Sequence, residues 1–421
     1  MCDLHQQQLS LDHSSFVKIL SEQENLLIIQ DLDGVCMQLV KDPLTRVIDL
    51  DYVNAIQAFH NHFFVLTNGE HIGSRGVNGI IERSLPDSQL AQQEGLYLPG
   101  LAAGGVQWQN QYGEVSHPGV NPAVIDFLSK IPQEMKTRIR TYFVAHSNVI
   151  EASSLEKALT AAILDNKVSP TVNLNVFHEI LHDHPNIYQG LQEAVSGWTH
   201  DLMTEAETLG LTDDFFIHYA PNLGIDHQGN EIILQAENGE SGTTDFQFMV
   251  KGARKEVGVL FLLNQYVGQH TGSYPLGQDF HGVGQPQGLE ALLQMIQENF
   301  KPEQIPLIVG VGDTVTSQGR EVAGQLQFFR GGSDRGFLQL IQNIGQAFGT
   351  PNLTVYVDSS AGEVKNRKPL QVEQQHQSLR VISGPTDDRD QADPLTLNVA
   401  IPNGHLQYID LIKQAAALRK A

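Results

Sequence analysis

The run Leu26-Leu27-Ile28-Ile29-Gln30-Asp31-Leu32-Asp33-Gly34-Val35 constrains the fold of this chain more than any other stretch. A short apolar segment bounded by a turn residue reads as a buried strand. Two carboxylates, Asp31 and Asp33, stand at its carboxyl end, where open α/β sheets place their ligands. A turn begun at Gly34 brings both aspartates toward the crevice, one by its side chain and the other partly by its backbone carbonyl. Asp-x-Asp-Gly is also ordinary turn chemistry, so the tetrapeptide alone does not separate a site from a strand end.

The rest of the chain narrows the choice. With 26 basic and 48 acidic residues the net charge is −22, which excludes a basic footprint for nucleic acid or an anionic membrane. An acidic surface repels anionic substrates at long range, so a site for one needs local cations or a metal. Two cysteines, Cys2 and Cys36, cannot build a disulfide framework. The polar N-terminus lacks a basic start and an apolar core, so no signal peptide is expected. No apolar run approaches membrane-spanning length, and a cytoplasmic protein is expected.

Strand signals alternate with helical ones, the signature of an α/β protein. After the first strand comes a helical pattern over Asp51 to His60, then Phe63-Phe64-Val65-Leu66 ending in Thr67-Asn68-Gly69-Glu70. Late in the chain Pro306 to Gly312 runs into Asp313-Thr314. A helical Phe337 to Phe348 then leads to the strand Leu353 to Asp358. Between these halves lies a section of different texture, helical around Leu155 to Leu164 and Ile187 to Leu209. It then gives a hairpin of Phe215 to Ala220 with Glu231 to Glu237. The expected organisation is a core in residues 1–115 and 249–421 with an inserted α+β domain at 116–248. The polar tract from Asn366 to Pro394 reads as a solvated loop or hairpin. A last strand, Leu395 to Ile401, and a helix, His405 to Leu418, close the chain.

Three apolar strands thus end in different polar sets: two carboxylates, a hydroxyl with an amide, and a glycine-flanked aspartate. A lysine precedes the last, in Lys251-Gly252-Ala253-Arg254-Lys255. Phosphoryl transfer through a carboxylate needs this kit of nucleophile, proton carrier, cations and phosphate-oxygen donors. In order and spacing, Asp31-Leu32-Asp33-Gly34-Val35, Thr67-Asn68, Lys255 and Gly312-Asp313 resemble the four motifs of the haloacid-dehalogenase-like phosphohydrolases. The inserted section resembles the C2-type cap of their sugar-phosphatase branch, which includes trehalose- and sucrose-phosphate phosphatases.

That resemblance implies a Rossmann-like, doubly wound parallel sheet with a C2-type cap and a Mg²⁺-dependent phosphomonoesterase acting on a phosphorylated sugar-type osmolyte. It makes Asp31 the nucleophile and Asp33 the general acid and base. Thr67 and Asn68 become donors to the phosphate oxygens, and Asp31, Asp33 (through its carbonyl) and Asp313 the metal ligands. It also admits the synthase that makes the phosphorylated osmolyte as a partner, with no nucleic acid and no membrane. A capped phosphatase of another sugar and a non-catalytic regulator on the same scaffold are the rival readings; the intact Asp31/Asp33 pair argues against the second.

Two assignments need choosing. Lys255 opens the pattern Val257, Val259, Leu260, Leu262, Leu263, which suits the start of a core-facing helix, and so is preferred over Lys251. The fourth motif carries Ser317 where a second acid is expected, whereas Ser333-Asp334 precedes the next helix. An insertion over Thr316 to Gly332, containing a hairpin, explains this. Asp334 is then a metal ligand or an acid beside one, and Ser333 an N-cap. Glu70, His71 and Arg75 follow the second motif and are candidates to face substrate, as are His218, Asn222 and Asp226 on the inserted hairpin. Trp108 reads as a core residue, and His60 and His62 lack zinc spacing. Gly310-Val311-Gly312-Asp313 lacks the third glycine of a dinucleotide fingerprint.

Overall fold

The computed structural model describes residues 11–40, 43–146, 149–211, 213–220, 222–225, 231–236, 241–286, 288–322, 324–363, 369–375, 378–383 and 394–420. They form two compact units. One comprises Met1–His71, Gly76–Pro118 and Gly252–Ala421, and the other Ile72–Arg75 and Gly119–Lys251.

The first unit is built on an eight-stranded sheet. Its order is Val399–Ile401, Leu353–Val357, Leu307–Gly312, Leu26–Gln30, Phe63–Leu66, Gly100–Ala102, Gln107–Gln109 and Val115–Ser116. The first six run parallel, and the last two fold back antiparallel at one edge. This is the α/β core expected from the alternating pattern, with antiparallel edge strands that the pattern did not reveal.

Alternation along each strand feeds two cores. Leu26, Ile28, Phe63, Val65, Val309, Val311 and Val355 pack on one face with the helices His13–Glu22, Leu50–Ile56, Val77–Ser84 and Gly404–Lys420. Leu27, Ile29, Phe64, Leu66, Ile308 and Tyr356 pack on the other with Lys255–Thr271, Leu289–Asn299 and Arg335–Phe348. Residues 26 to 29 are fully buried, and each such side chain contributes about 1.5–3 kcal/mol. The chain leaves Leu26–Gln30 for Phe63–Leu66 on one side, whereas Leu307–Gly312 lies on the other. Connections therefore diverge at the carboxyl end of the central strand, the place where open α/β sheets set their ligands.

The insertion expected after Asp313 is a hairpin, Thr316–Val322 against Gln325–Gly331, with Thr316 opposite Gly331. Its closed register returns the chain to its point of departure, so Asp334 begins the helix Arg335–Phe348 beside Asp313. Ser333 is exposed, and the N-cap position falls to Asp334 rather than to Ser333 as expected.

The second unit holds a four-stranded antiparallel sheet ordered Ile163–Leu164, Thr171–Asn173, Asp245–Val250, Phe215–Ala220. Phe215–Ala220 pairs with Asp245–Val250, not with Glu231 onward as the sequence suggested. The strand Glu231–Ile233 pairs with Asn222–Ile225 instead. Alternation again decides the faces: Phe246, Phe248 and Val250 are buried, while Asp245, Gln247 and Met249 are half-exposed. Among the described residues no helix is long and apolar enough to cross a membrane.

Candidate active site

The central strand delivers Asp31 to the carboxyl end of the sheet. Its N–H donates to Val311 O at 2.9 Å, extending the parallel ladder one residue beyond the strand. The carboxylate then turns back over its own loop, with Oδ1 accepting from Leu32 N at 2.8 Å. Gly34 follows at φ +78°, a conformation that L side chains avoid, and a Cβ there would overlap the Asp313 carboxylate. Glycine is thus what lets the first and fourth motifs meet.

Asp313 lies one residue past the end of the neighbouring strand, with Thr314 Oγ1 donating to its Oδ1 at 2.8 Å. Asp334 does not use its carboxylate to cap its own helix. Its Oδ2 accepts from Asp313 N and Thr314 N at 3.0 and 2.9 Å, and its Oδ1 takes the Lys255 ammonium at 2.7 Å. Gly312 allows the approach, since a Cβ there would stand 2.7 Å from Asp334. Lys255, at the first residue of its helix, also reaches Asp31 Oδ2 at 2.8 Å and sits 5.5 Å from the Phe337 ring centroid. Lys251 is instead a surface residue, 3.4 Å from Asp213.

Asp31, Asp313 and Asp334 are all buried, and one oxygen of each falls within a 4.8 Å group. Asp31 and Asp334 share the Lys255 ammonium there, with Asp313 alongside. Burial, only partly offset by Lys255 and added to by Asp334, pushes the Asp31 carboxyl up to about 7. Burial draws the Lys255 ammonium down, but Asp31 and Asp334 outweigh it and hold the group above its ordinary value. Three carboxylate oxygens gathered in a dry site are the hard donors that a divalent cation such as Mg²⁺ takes. The donor set therefore fits a metal of that kind. The Asp33 carboxylate stands apart from the trio, its Oδ1 2.9 Å from Arg46 Nε.

Thr67 is buried at the carboxyl end of the next strand, where its N–H donates to Leu101 O at 3.0 Å. Its hydroxyl accepts from Gly69 N at 3.3 Å and keeps its hydrogen to give. Asn68 is exposed beside it. Glu70, His71 and Arg75, the candidates to face substrate, are all buried. Glu70 is buried and accepts from Gln107 Nε2 at 3.2 Å. His71 is fully buried, with Nε2 on Gly100 O at 3.1 Å, and burial draws its imidazole down to about 4. It is therefore neutral and part of the framework.

Arg75 belongs to the second unit, where its guanidinium donates to Ala161 O and Ile163 O at 3.2 Å each. Those carbonyls end the helix Ala152–Ala162, so Arg75 serves as its C-terminal cap. His218 stands opposite Gln247 on the half-exposed face of the second unit's sheet. That face also carries Asn173 and Asp245, joined at 2.7 Å, which sequence reasoning missed. Their signal was the alternation in Asp245-Phe246-Gln247-Phe248. Asn222 lies in the strand Asn222–Ile225, and Asp226 falls outside the described residues. Arg46 was also missed; its sole signal is being a cation in an acidic chain, shortly after the first motif.

A family model described as glucosylglycerol-phosphate phosphatase matches residues 25–416. A protein of Synechocystis sp. named glucosylglycerol-phosphate phosphatase is 53% identical over 417 residues, covering 99% of this chain and 98% of its own. Among solved structures, the C-terminal domain of C. albicans trehalose-6-phosphate phosphatase aligns with 98% of this chain and 99% of its own, at 11% identity and a TM-score of 0.42. The Aspergillus fumigatus trehalose-6-phosphate phosphatase aligns with 98% and 100%, at 10% identity and a TM-score of 0.37. These two likenesses are too distant to bear on chemistry.

Proposed function

The chain belongs to the glucosylglycerol-phosphate phosphatase family, and from that premise we propose that it hydrolyses glucosylglycerol 3-phosphate to glucosylglycerol and phosphate through an aspartyl-phosphate on Asp31. The observation that carries the reading is the Lys255 ammonium clamped between Asp31 and Asp334, with Asp313 alongside.

An Asp31 carboxylate oxygen attacks phosphorus as the ester P–O bond breaks, and Asp33 gives its proton to the departing glycerol alkoxide of glucosylglycerol. Water then attacks the acyl phosphate, with Asp33 taking the water's proton, and Asp31 is regenerated. Lys255 holds Asp31 in place and offsets the charge that develops on the phosphoryl group. Thr67 and Asn68 donate to the phosphoryl oxygens. Asp31, the Asp33 carbonyl, Asp313 and Asp334 would hold or support Mg²⁺, which supplies further charge neutralisation when bound.

The neutral sugar calls for hydroxyl partners, and Asn173, Asp245, Gln247 and His218 on the second unit's sheet supply amide, carboxylate and imidazole groups suited to them. The product would be a compatible solute, so the enzyme would serve salt tolerance, fed by the cognate synthase. An acidic protein such as this suits raised ionic strength.

Phosphate release from a panel of glucosylglycerol-, sucrose- and trehalose-phosphates, with and without Mg²⁺, tests the proposal. Preferential release from glucosylglycerol 3-phosphate with Mg²⁺ is expected. Preference for another sugar would overturn the substrate, and no release from any would overturn the chemistry.

A further inference from the structure

Lys255 is a poor receptor for an arriving phosphate. It is 3% exposed and already bonded to two carboxylates, so its ammonium is not offered to solvent. The more exposed acid of the site is Asp33, whose side chain is 23% exposed, on a protein of net charge −22. A dianion approaching such a surface needs a cation it can reach.

Arg46 is such a cation. Its side chain is 20% exposed and its Nε lies 2.9 Å from Asp33 Oδ1, yet neither atom, both out of contact with water, makes a directed hydrogen bond. The two charges face each other without alignment. A guanidinium so held exchanges readily for an acceptor that matches its fork, and phosphate oxygens do so with two parallel N–H bonds.

The local chain explains the placement. Pro43–Thr45 is a single 3₁₀ turn. Ile48 is buried, and Asp49 caps the next helix through Asp51 N and Tyr52 N while holding Lys413 at 2.9 Å. Leu44 and Val47 face outward at 39% and 72% exposure, whereas Arg46 between them turns onto Asp33.

We propose that Arg46 receives the phosphate of the substrate. Its guanidinium, which rests on Asp33, moves to the phosphoryl oxygens when a sugar phosphate binds and leaves Asp33 to its proton transfer. Arg46 makes and breaks no covalent bond. The proposal rests on the phosphatase reading of Asp31 and Asp33.

Arg46→Gln and Arg46→Lys test it, through steady-state kinetics on the sugar phosphate and through inorganic phosphate as a probe of the same subsite. Arg46→Gln is expected to raise KM about tenfold or more, with kcat falling less than about threefold. The inhibition constant for inorganic phosphate should rise in parallel, and Arg46→Lys should recover part of both. Unchanged KM and phosphate inhibition would overturn the proposal. So would a fall in kcat at constant KM, which would confine Arg46 to Asp33. Should the glutamine variant not fold, the lysine variant decides, a raised KM supporting the proposal and an unchanged one overturning it. If the wild-type enzyme releases no phosphate from any sugar phosphate, the phosphatase reading fails. Calorimetric binding of inorganic phosphate to wild type and Arg46→Gln then decides Arg46 separately: weaker binding by the variant supports it, equal binding or none by either protein overturns it.

Discussion

The two units carry polar groups of very different standing. In the first, Asp31, Asp313, Asp334 and Lys255 are buried, and each is held by at least one bond of 3.0 Å or less. In the second, Asn173, Asp245, Gln247 and His218 sit half-exposed on one face of a small antiparallel sheet. A charge buried beside other charges is fixed by its neighbours and costly to disturb, whereas a half-exposed hydroxyl partner can be lost with water taking its place. The proposed chemistry lies in the first unit and the proposed sugar recognition in the second.

Lys255→Met presses hardest on that contrast. It leaves the buried Asp31 and Asp334 without their ammonium, so a loss of about 3–5 kcal/mol of stability is expected in the absence of metal. Phosphate release should fall by at least about 100-fold when metal is supplied. Melting curves and turnover check it, and a variant as stable and active as wild type would break the contrast at its centre.

The metal-free protein should also show the strain at Asp31 through pH. A carboxyl at about 7 when folded and 3.8 when unfolded binds its proton more tightly in the folded state. Its contribution to stability is therefore greatest at low pH and is lost as pH rises from about 4 to about 7. Asp31→Asn, which has no proton to release in this window, should flatten that slope in the metal-free protein. Melting temperatures of both proteins across this window check the sign, and a steeper slope in the variant would contradict it.

The smallest effects belong to the second unit. His218→Ala and Asn173→Ala should each cost about 1 kcal/mol of substrate binding, seen as a several-fold rise in KM at nearly constant kcat. A large fall in kcat would move chemistry into the second unit and erase the distinction. An unchanged KM would take sugar recognition off this sheet face.

The sequence was legible where one residue type had one physical use. Residues 26 to 33 could be read as a buried strand with acids at its end, and Asp334 was found because Ser333-Asp334-Arg335 resembles the family's acid before the next helix, which implied the Thr316 to Gly332 insertion. Polar residues with several outlets were not legible. His71 and Arg75 follow a phosphate-binding motif as substrate ligands would, yet each meets a local need for backbone partners that only the fold creates. The pairing of Phe215–Ala220 was misjudged because Asp245–Val250, although later in the chain, offers an alternating apolar face that Glu231 onward does not. Arg46 carried almost no signal, because its meaning comes from Asp33, thirteen residues earlier.

The central claim is that Asp31 is the nucleophile, and turnover by Asp31→Asn tests it most directly. The variant keeps the shape of the side chain and, being folded by melting temperature, should release phosphate from glucosylglycerol 3-phosphate at less than about one-thousandth of the wild-type rate, since the covalent route has no substitute oxygen of comparable reactivity. Turnover above about a tenth of wild type would contradict it and assign the attack on phosphorus to water.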